Sequence, residues 1–235
     1  MRKKTAEKLL NLVKNNYKTI ASDFNETRKK EIWPEIRESA GALKNGDSIL
    51  DVGCGNGRFL ETCLGRDVNY LGVDNSPELI KAAEENYPRY AFKVGDILNL
   101  EEATQEKYDY IFCLAVLQHI PGRELRVRAL SEMLKKLKPE GKIVISVWNL
   151  WSGVWKKKNY RWLILKDWFL YLFKRDRLDL GDLIFPWKNA HGEIISARYY
   201  HAFTRNELGN LVKRAGGKIK EVRKDNYNYW LTIEN

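Results

Sequence analysis

Cysteine is scarce in this chain of 235 residues. The three present, Cys54, Cys63 and Cys113, are odd in number and lack metal-ligand spacing. That argues against a disulfide framework or a zinc site and leaves them as small buried residues. Long apolar runs are also missing. None approaches the roughly 18 to 20 residues of a membrane span, and the opening "MRKKTAEKLLNLVKNNYK" has no signal-like apolar stretch. A cytoplasmic protein with no membrane span is therefore expected. Internal repeats and low-complexity linkers are absent as well, so one domain is the simplest reading. An apolar share of 44% with 31% charged residues describes a globular chain able to bury a core.

Negative charge is what the flanks lack. Residues 32–150 carry a net charge of −3, whereas 1–31 carry +5, 151–180 carry +5 and 196–235 carry +4, within a total of +10. Excess positive charge confined to the flanks points to a polyanionic partner met there. The alternative is that these surface lysines serve only solubility.

Short β-rich runs alternate with helical patterns through the middle of the chain. "DSILDVG" (47–53), "NYLGVD" (69–74), "YAFKVGD" (90–96), "YDYIFCLA" (108–115) and "GKIVISVW" (141–148) read as strands. "GRFLETCL", "SPELIKAAEENY" and "RELRVRALSEMLKKLKP" between them carry apolar residues at three- and four-residue spacing and read as helices. This alternation predicts an α/β fold, a parallel sheet with helices on both faces. A last helix, "TRNELGNLVKRAG", leads to two strands, "KIKEVRK" and "YNYWLTIE", paired as a hairpin.

"LDVGCGNGRFL" (50–60) puts Asp51 at a strand end, followed by Gly53, Gly55 and Gly57. Glycines there let the backbone turn sharply and approach a ligand. The spacing is GxGxG and not the GxGxxG of dinucleotide folds, so a pyrophosphate is not the evident guest. The next strand ends at Asp74–Asn75, where a carboxylate can take the two hydroxyls of a ribose. The third ends in Asp96, suited to an exocyclic amine, with the Ile97 backbone beside it for a ring nitrogen; the backbone of Leu114 and Ala115 after the fourth closes a pocket floor. Singly, any of these acids could be a helix N-cap, and for Asp96 alone that is the favoured reading. In order, the loops at the carboxyl ends of successive parallel strands converge on one crevice.

This ordered set resembles the class I S-adenosylmethionine-dependent methyltransferases over residues 46–150 and again in the last helix and hairpin. The resemblance implies a Rossmann-like, mostly parallel seven-stranded sheet with an antiparallel last strand. It implies four stretches of one domain: a helical N-terminal cap (1–43), a cofactor-binding core (44–149), a basic and aromatic insertion (150–203), and the last helix with its hairpin (204–235). S-adenosylmethionine is the implied cofactor, with Asp51 and the glycines at its methionine end, Asp74 at its ribose and Asp96 at its adenine.

The flanks are similar to those of the tRNA wobble-uridine carboxymethyl methyltransferases and of the methyltransferase domain fused to AlkB-type tRNA hydroxylases. The matching residues are Thr27–Arg28, Trp33–Pro34, His119, Pro186–Trp187 and the "RYYH" of Arg198, Tyr199, Tyr200 and His201. Two departures are Gln118, where the family has the first histidine of a pair, and Ala202, where it usually has leucine. The resemblance implies tRNA as partner and the carboxylate of 5-carboxymethyluridine as acceptor. Some relatives pair with a small zinc-binding activator, which makes such a subunit a candidate partner. An ionised carboxylate is its own nucleophile, so the site needs an anion clamp more than a base. Arg28 and Arg198 suit the clamp, Tyr199 and Tyr200 a stacking face for uracil, and His119 and His201 orientation by hydrogen bonding.

Alternatives stay open. Four bulky half-polar residues in a row fit poorly on a strand with one buried face, so "ARYYHAFTR" (197–205) reads as a solvated loop or a pocket lining. The insertion interleaves Trp151, Trp155, Trp162, Trp168 and Tyr171 with Lys156, Lys157, Lys158, Arg161, Lys174 and Arg175. It suits an RNA contact, a helical lid with core aromatics, or an interfacial membrane helix. A small-molecule methyltransferase acting on a lipid or quinone-like acceptor, and a non-catalytic RNA-binding protein retaining the pocket, are the competing functions.

Overall fold

The computed structural model describes residues 1–27, 34–152, 160–172, 178–188 and 193–235. Seven strands form the main sheet: β1 (Ser48–Val52), β2 (Asn69–Asp74), β3 (Ala91–Val94), β4 (Tyr108–Leu114), β5 (Leu137–Trp148), β8 (Lys218–Lys224) and β9 (Asn228–Glu234). Their order is β3-β2-β1-β4-β5-β9-β8. The first five run parallel, while β9 pairs antiparallel with both β5 and β8. The chain therefore has the mostly parallel seven-stranded sheet with an antiparallel last strand that the motifs imply.

Strand alternation divides the core between two faces. Leu50, Ile111, Cys113, Ile143 and Ile145 pack against Ala129, Leu130 and Met133 of α5 (Arg123–Lys135) and Leu208, Leu211 and Val212 of α7 (Arg205–Ala215). Their neighbours Ile49, Phe112 and Val144 point the other way, onto Phe59, Leu60 and the Ile80 and Ala83 of α3 (Pro77–Asn86). All three cysteines are buried and free. A short helix, α4 (Leu100–Ala103), follows β3, and α2 (Pro34–Ser39) precedes the sheet.

Two expected helices differ from the pattern. "GRFLETCL" forms only a five-residue 3-10 helix, Arg58–Thr62, because the chain arrives at Gly57 in a left-handed conformation and leaves through turns. The helix expected through Pro139 stops at Lys135, and Leu137–Pro139 already belong to β5. A residue preceding proline is disfavoured in the helical region, which accounts for the early stop.

The flanks assemble beside this core. α1 (Lys3–Thr27) buries Ala6, Leu9 and Val13, and the insertion supplies α6 (Tyr160–Leu172) and a separate antiparallel pair, β6 (Asp182–Lys188) with β7 (Ile194–His201). The "RYYH" run is thus the end of a strand and neither a loop nor a continuous pocket lining. In an antiparallel pair, opposite residues share a face. Leu183, Tyr200, Phe185 and Arg198 occupy one face, while Asp182, His201, Ile184 and Tyr199 occupy the other. Leu9 and Val13 of α1 pack on Tyr199 and Ile184, and Ile164 of α6 packs with Leu183 and Tyr200. Both faces are covered, so the strand carries no apolar-polar alternation.

Candidate active site

A crevice of about 490 Å³ opens at the carboxyl ends of β1, β2, β3 and β4. Asp51, Gly53, Gly55, Asp74, Asn75, Asp96, Ile97, Leu114 and Ala115 all line it. Gly53 has φ of 75°, and a Cβ there would lie 2.3 Å from Val116 Cγ2, so both conformation and space demand glycine. Gly57 does not line the crevice. Its role is packing: a Cβ would meet the rings of Tyr87 and Phe92 at 2.9 and 3.0 Å.

Two carboxylates dominate one part of this crevice. Asp51 is buried and accepts a hydrogen bond from Tyr70 Oη at 2.8 Å. Burial lifts its pKa to about 7, against the lowering effect of the Tyr70 bond, and the charge of Asp74 adds to the rise. Asp74 accepts from the backbone N–H of Gly55 at 3.0 Å and of Ser76 at 2.9 Å. Burial raises its pKa too, while those backbone donors hold it down. A pair of desolvated carboxylates is the electrostatic complement of a positively charged ligand. The sulfonium and ammonium of S-adenosylmethionine fit that demand, and the carboxylate of Asp74 keeps lone pairs free for ribose hydroxyls. Asp96 also closes a local turn, accepting from Leu98 N–H at 2.8 Å, while the N-cap position of α4 falls to Asn99.

Ala115 is the one non-glycine with positive φ among the described residues, at 56°. Its N–H donates to both the carbonyl and the Oγ of Ser146 at 3.0 Å, which pins a strained backbone at the crevice floor. Beyond it a short 3-10 helix, Leu117–His119, brings His119 into the wall. Its Nε2 lies 3.0 Å from Tyr17 Oη, and the Tyr199 backbone is a further hydrogen-bonding partner. Burial, with the nearby Arg198 charge, pushes the imidazole pKa down to about 4, so the ring is neutral at pH 7. Gln118 is fully buried and donates to Ala115 O at 3.1 Å; it holds the loop and does not reach the crevice.

Arg198 and Tyr200 complete this wall together with Trp148. Arg198 Nη1 donates to Tyr200 Oη at 3.4 Å. Tyr200 stacks with Trp148 at 4.8 Å and with Phe185 at 5.2 Å, and His119 sits 4.7 Å from it. Its ring is already packed by these partners and is not an open platform for a base. Tyr199 and His201 point away from the crevice, because alternate residues of β7 face opposite sides. They are held with Asp182 in a buried polar cluster. Neither can stack on or orient a ligand in this crevice, which corrects the expectation drawn from the motif.

Several lining residues carried no motif: Leu10, Asn11, Lys14 and Tyr17 of α1, Arg58, and Ser146 and Trp148 of β5. The spacing of Leu10, Lys14 and Tyr17 on one helix face was the available signal. Arg161 is exposed and donates from Nε to the carbonyl of Trp151. Arg28, Trp33, Trp155, Lys156, Lys157, Lys158, Lys174 and Arg175 lie outside the described residues. Among the described residues no cluster of three His, Cys, Asp or Glu could hold a metal ion, and no helix is long and apolar enough to cross a membrane.

Comparison with known proteins places this geometry in context. A family model described as a methyltransferase domain matches residues 43–216. The chain is 29% identical to a tRNA (carboxymethyluridine(34)-5-O)-methyltransferase of Schizosaccharomyces pombe, over 93% of each chain. A protein of the same description from Saccharomyces cerevisiae is 36% identical over 63% of this chain and 52% of its own length. A Xenopus tropicalis protein so described is 32% identical over 92% of this chain, which spans only 39% of that longer protein. Among solved structures, an S-adenosylmethionine-dependent methyltransferase from Methanosarcina mazei superposes with a TM-score of 0.67 at 21% identity, covering 88% of this chain and 99% of that one. The magnesium protoporphyrin IX methyltransferase of Synechocystis, solved with bound SAH, gives 0.64 at 15% identity over 94% and 96%.

The state of Asp51 yields a measurable linkage. A carboxyl whose pKa rises from 3.8 to about 7 on folding stabilises the cofactor-free fold below its unfolded value, and that contribution is lost as pH climbs through about 7. A cationic ligand that meets the ionised form must expel the proton. Calorimetry in buffers of differing ionisation enthalpy should therefore find close to one proton released per S-adenosylmethionine bound at about pH 6 and almost none near pH 8.5. Asp51→Asn should abolish the release; its persistence in that variant would assign the proton to another group.

Proposed function

This chain belongs to the methyltransferase-domain family as an S-adenosylmethionine-dependent methyltransferase, and from that premise we propose that it esterifies the carboxylate of 5-carboxymethyluridine at the tRNA wobble position. The observation that carries the acceptor is Arg198, a guanidinium in the wall of the same crevice that holds Asp51 and Asp74. It supplies a fork suited to a carboxylate, in keeping with the similarity to the fission-yeast enzyme over nearly the whole of both chains.

S-adenosylmethionine supplies a methyl group on a positively charged sulfur. The acceptor carboxylate is already ionised near neutrality, so its oxygen can form the new O–C bond while the C–S electron pair returns to sulfur, and no proton moves. The protein's part is then orientation and exclusion of water. Arg198 binds the anion, and Leu10, Val13 and Ile120 supply apolar walls. His119, neutral because its pKa is pushed down to about 4, pairs with the Tyr17 hydroxyl and fixes the wall beside the guanidinium without adding a second charge. A neutral imidazole so hard to protonate is a weak base, which suits chemistry that needs none.

The tRNA would meet the basic flanks. α6 exposes Trp162, Leu165 and Phe169 on one side, with Lys166 Nζ 5.1 Å over the Trp162 ring, and its other side packs into the cluster that contains Tyr200. Exposed aromatics beside cations offer stacking and phosphate contacts to an unpaired loop. Arg28, Lys156, Lys157 and Lys158 belong to this reading as further anion contacts. The same reading places the enzyme in the cytoplasm and leaves room for a small zinc-binding activator subunit.

Methyl-labelled cofactor tests the acceptor. On tRNA carrying 5-carboxymethyluridine, all transferred label should be released as methanol by mild alkali, as a methyl ester requires. With cofactor saturating at every pH, the single-turnover rate should be flat from about pH 6 to 9, falling only as the acceptor carboxylate is protonated. Alkali-stable label, or equal labelling of tRNA without the carboxymethyl group, would overturn the assignment. The RNA face has a separate test. Replacing Lys156, Lys157 and Lys158 by alanine should lower the salt dependence of tRNA binding by up to about three phosphate contacts; an unaltered slope would leave these lysines as solubilising residues.

A further inference from the structure

Behind the wall that carries Arg198 lies a second cluster of charge that methyl transfer does not use. Arg126 of α5, Asp182 of β6 and Tyr199 and His201 of β7 are all buried, with Glu207 of α7 at their edge. Asp182 Oδ1 accepts from Tyr199 Oη at 2.7 Å and Arg126 Nη2 at 3.2 Å, and lies 2.6 Å from His201 Nδ1. Glu207 Oε1 is 2.8 Å from His201 Nε2 and 3.3 Å from Arg126 Nη1. The cluster ties the insertion to two helices of the core.

Its contacts reach both halves of the acceptor wall. Arg126 Nε donates to the carbonyl of Ile120, the residue after His119, at 2.9 Å, and Arg126 Nη2 donates to Tyr199 Oη at 3.0 Å. One guanidinium thus holds the loop that carries His119 and the strand that carries Arg198. The Tyr199 backbone bonds His119 from the other side. Because side chains alternate on a strand, fixing Tyr199 and His201 to the core fixes Arg198 and Tyr200 toward the crevice.

We propose that Arg126 and Asp182 are positioning residues for the acceptor: they lock β7 and the His119 loop to each other, so that Arg198, Tyr200 and His119 form one wall. The proposal rests on the reading of that wall as the acceptor end. Among the described residues, the hydrogen bonds of Asp51 and Asp74 come from Tyr70, Gly55 and Ser76 and not from the cluster, so the effect falls mainly on the acceptor.

The experiment compares Asp182→Asn, Arg126→Lys and Tyr199→Phe with the unaltered full chain. Three quantities are read: S-adenosylmethionine affinity by calorimetry, the His119 titration by NMR of its ring signals, and kcat/KM on carboxymethyluridine tRNA. Cofactor affinity should stay within about twofold, since Asp51 and Asp74 take their hydrogen bonds from Tyr70, Gly55 and Ser76 and none from the cluster. The His119 midpoint should climb from about 4 toward the ordinary value of about 6.5 as the wall loosens and water reaches the ring, because burial is the largest cause of its depression; loss of the Tyr199 backbone bond works the other way and is the smaller effect. In Asp182→Asn, kcat/KM for tRNA should fall at least about tenfold, the scale expected when binding groups are misplaced by a fraction of an ångström. Tyr199→Phe keeps the ring and its packing, and should show the same pattern at smaller size even if a charged-group variant fails to fold. Variants that bind cofactor normally with His119 titration and kcat/KM both unchanged would overturn the proposal, as would a Tyr199→Phe protein in which cofactor affinity falls as far as kcat/KM. If the unaltered protein does not methylate tRNA, the wobble assignment fails, and the His119 titration alone still decides whether the cluster positions the wall.

Discussion

Successive residues of a strand face opposite ways, and in β7 that constraint does two jobs. Arg198 and Tyr200 turn into the crevice, while Tyr199 and His201 turn into a buried polar cluster. Neither set can shift without the other, because a slip of one residue would exchange them. The crevice wall of Arg198 and Tyr200 is therefore as well fixed as the cluster behind it. That cluster is fixed by charge-assisted bonds between buried groups, in which one carboxylate oxygen of Asp182 serves three partners.

Such clusters are not a general source of stability. Taking charges out of water costs several kcal/mol per ion, and only good geometry with further hydrogen bonds compensates. Here the compensation is dense: Asp182 Oδ2 also accepts from the Asp179 N–H at 2.8 Å, and Arg126 lies 5.5 Å from the Phe203 ring centroid. The value of the arrangement is specificity of position. Removing one partner from a buried pair typically costs about 3–5 kcal/mol, because the other charge is left alone.

The core was readable from the sequence because its strands are covered by helices on both faces and end in residues with a distinct chemistry. The runs ending at Asp51, Asp74 and Asp96 announced themselves by position, and the crevice brings all three together. The flanks were less readable, for physical reasons. β7 has polar and aromatic side chains on both faces, so it shows neither the alternation of a half-buried strand nor the apolar run of a buried one. Arg126 sits in "RELRVRAL" with nothing nearby in sequence to mark it as buried; its charged partners Asp182 and Glu207, and Tyr199, lie more than fifty residues away. Tyr17 and Lys14 lie on an ordinary amphipathic helix whose inward face is defined by a crevice formed from later strands. Tyr199 and His201 stand away from the crevice although they flank Tyr200 in sequence, because neighbours on a strand face opposite sides.

Charge distributed along the crevice ties these parts together. Asp51 and Asp74 gather negative charge in one region, and Arg198, beside a histidine kept neutral, sets positive charge in another, which is the pattern the proposed reaction needs. Chemical rescue tests this most directly. Arg198→Ala should bind S-adenosylmethionine normally yet lose transfer to carboxymethyluridine tRNA, and added guanidinium ion should restore that activity with saturation. An Arg198→Ala protein that keeps full activity, or one that binds cofactor normally but gains nothing from guanidinium, would contradict the account.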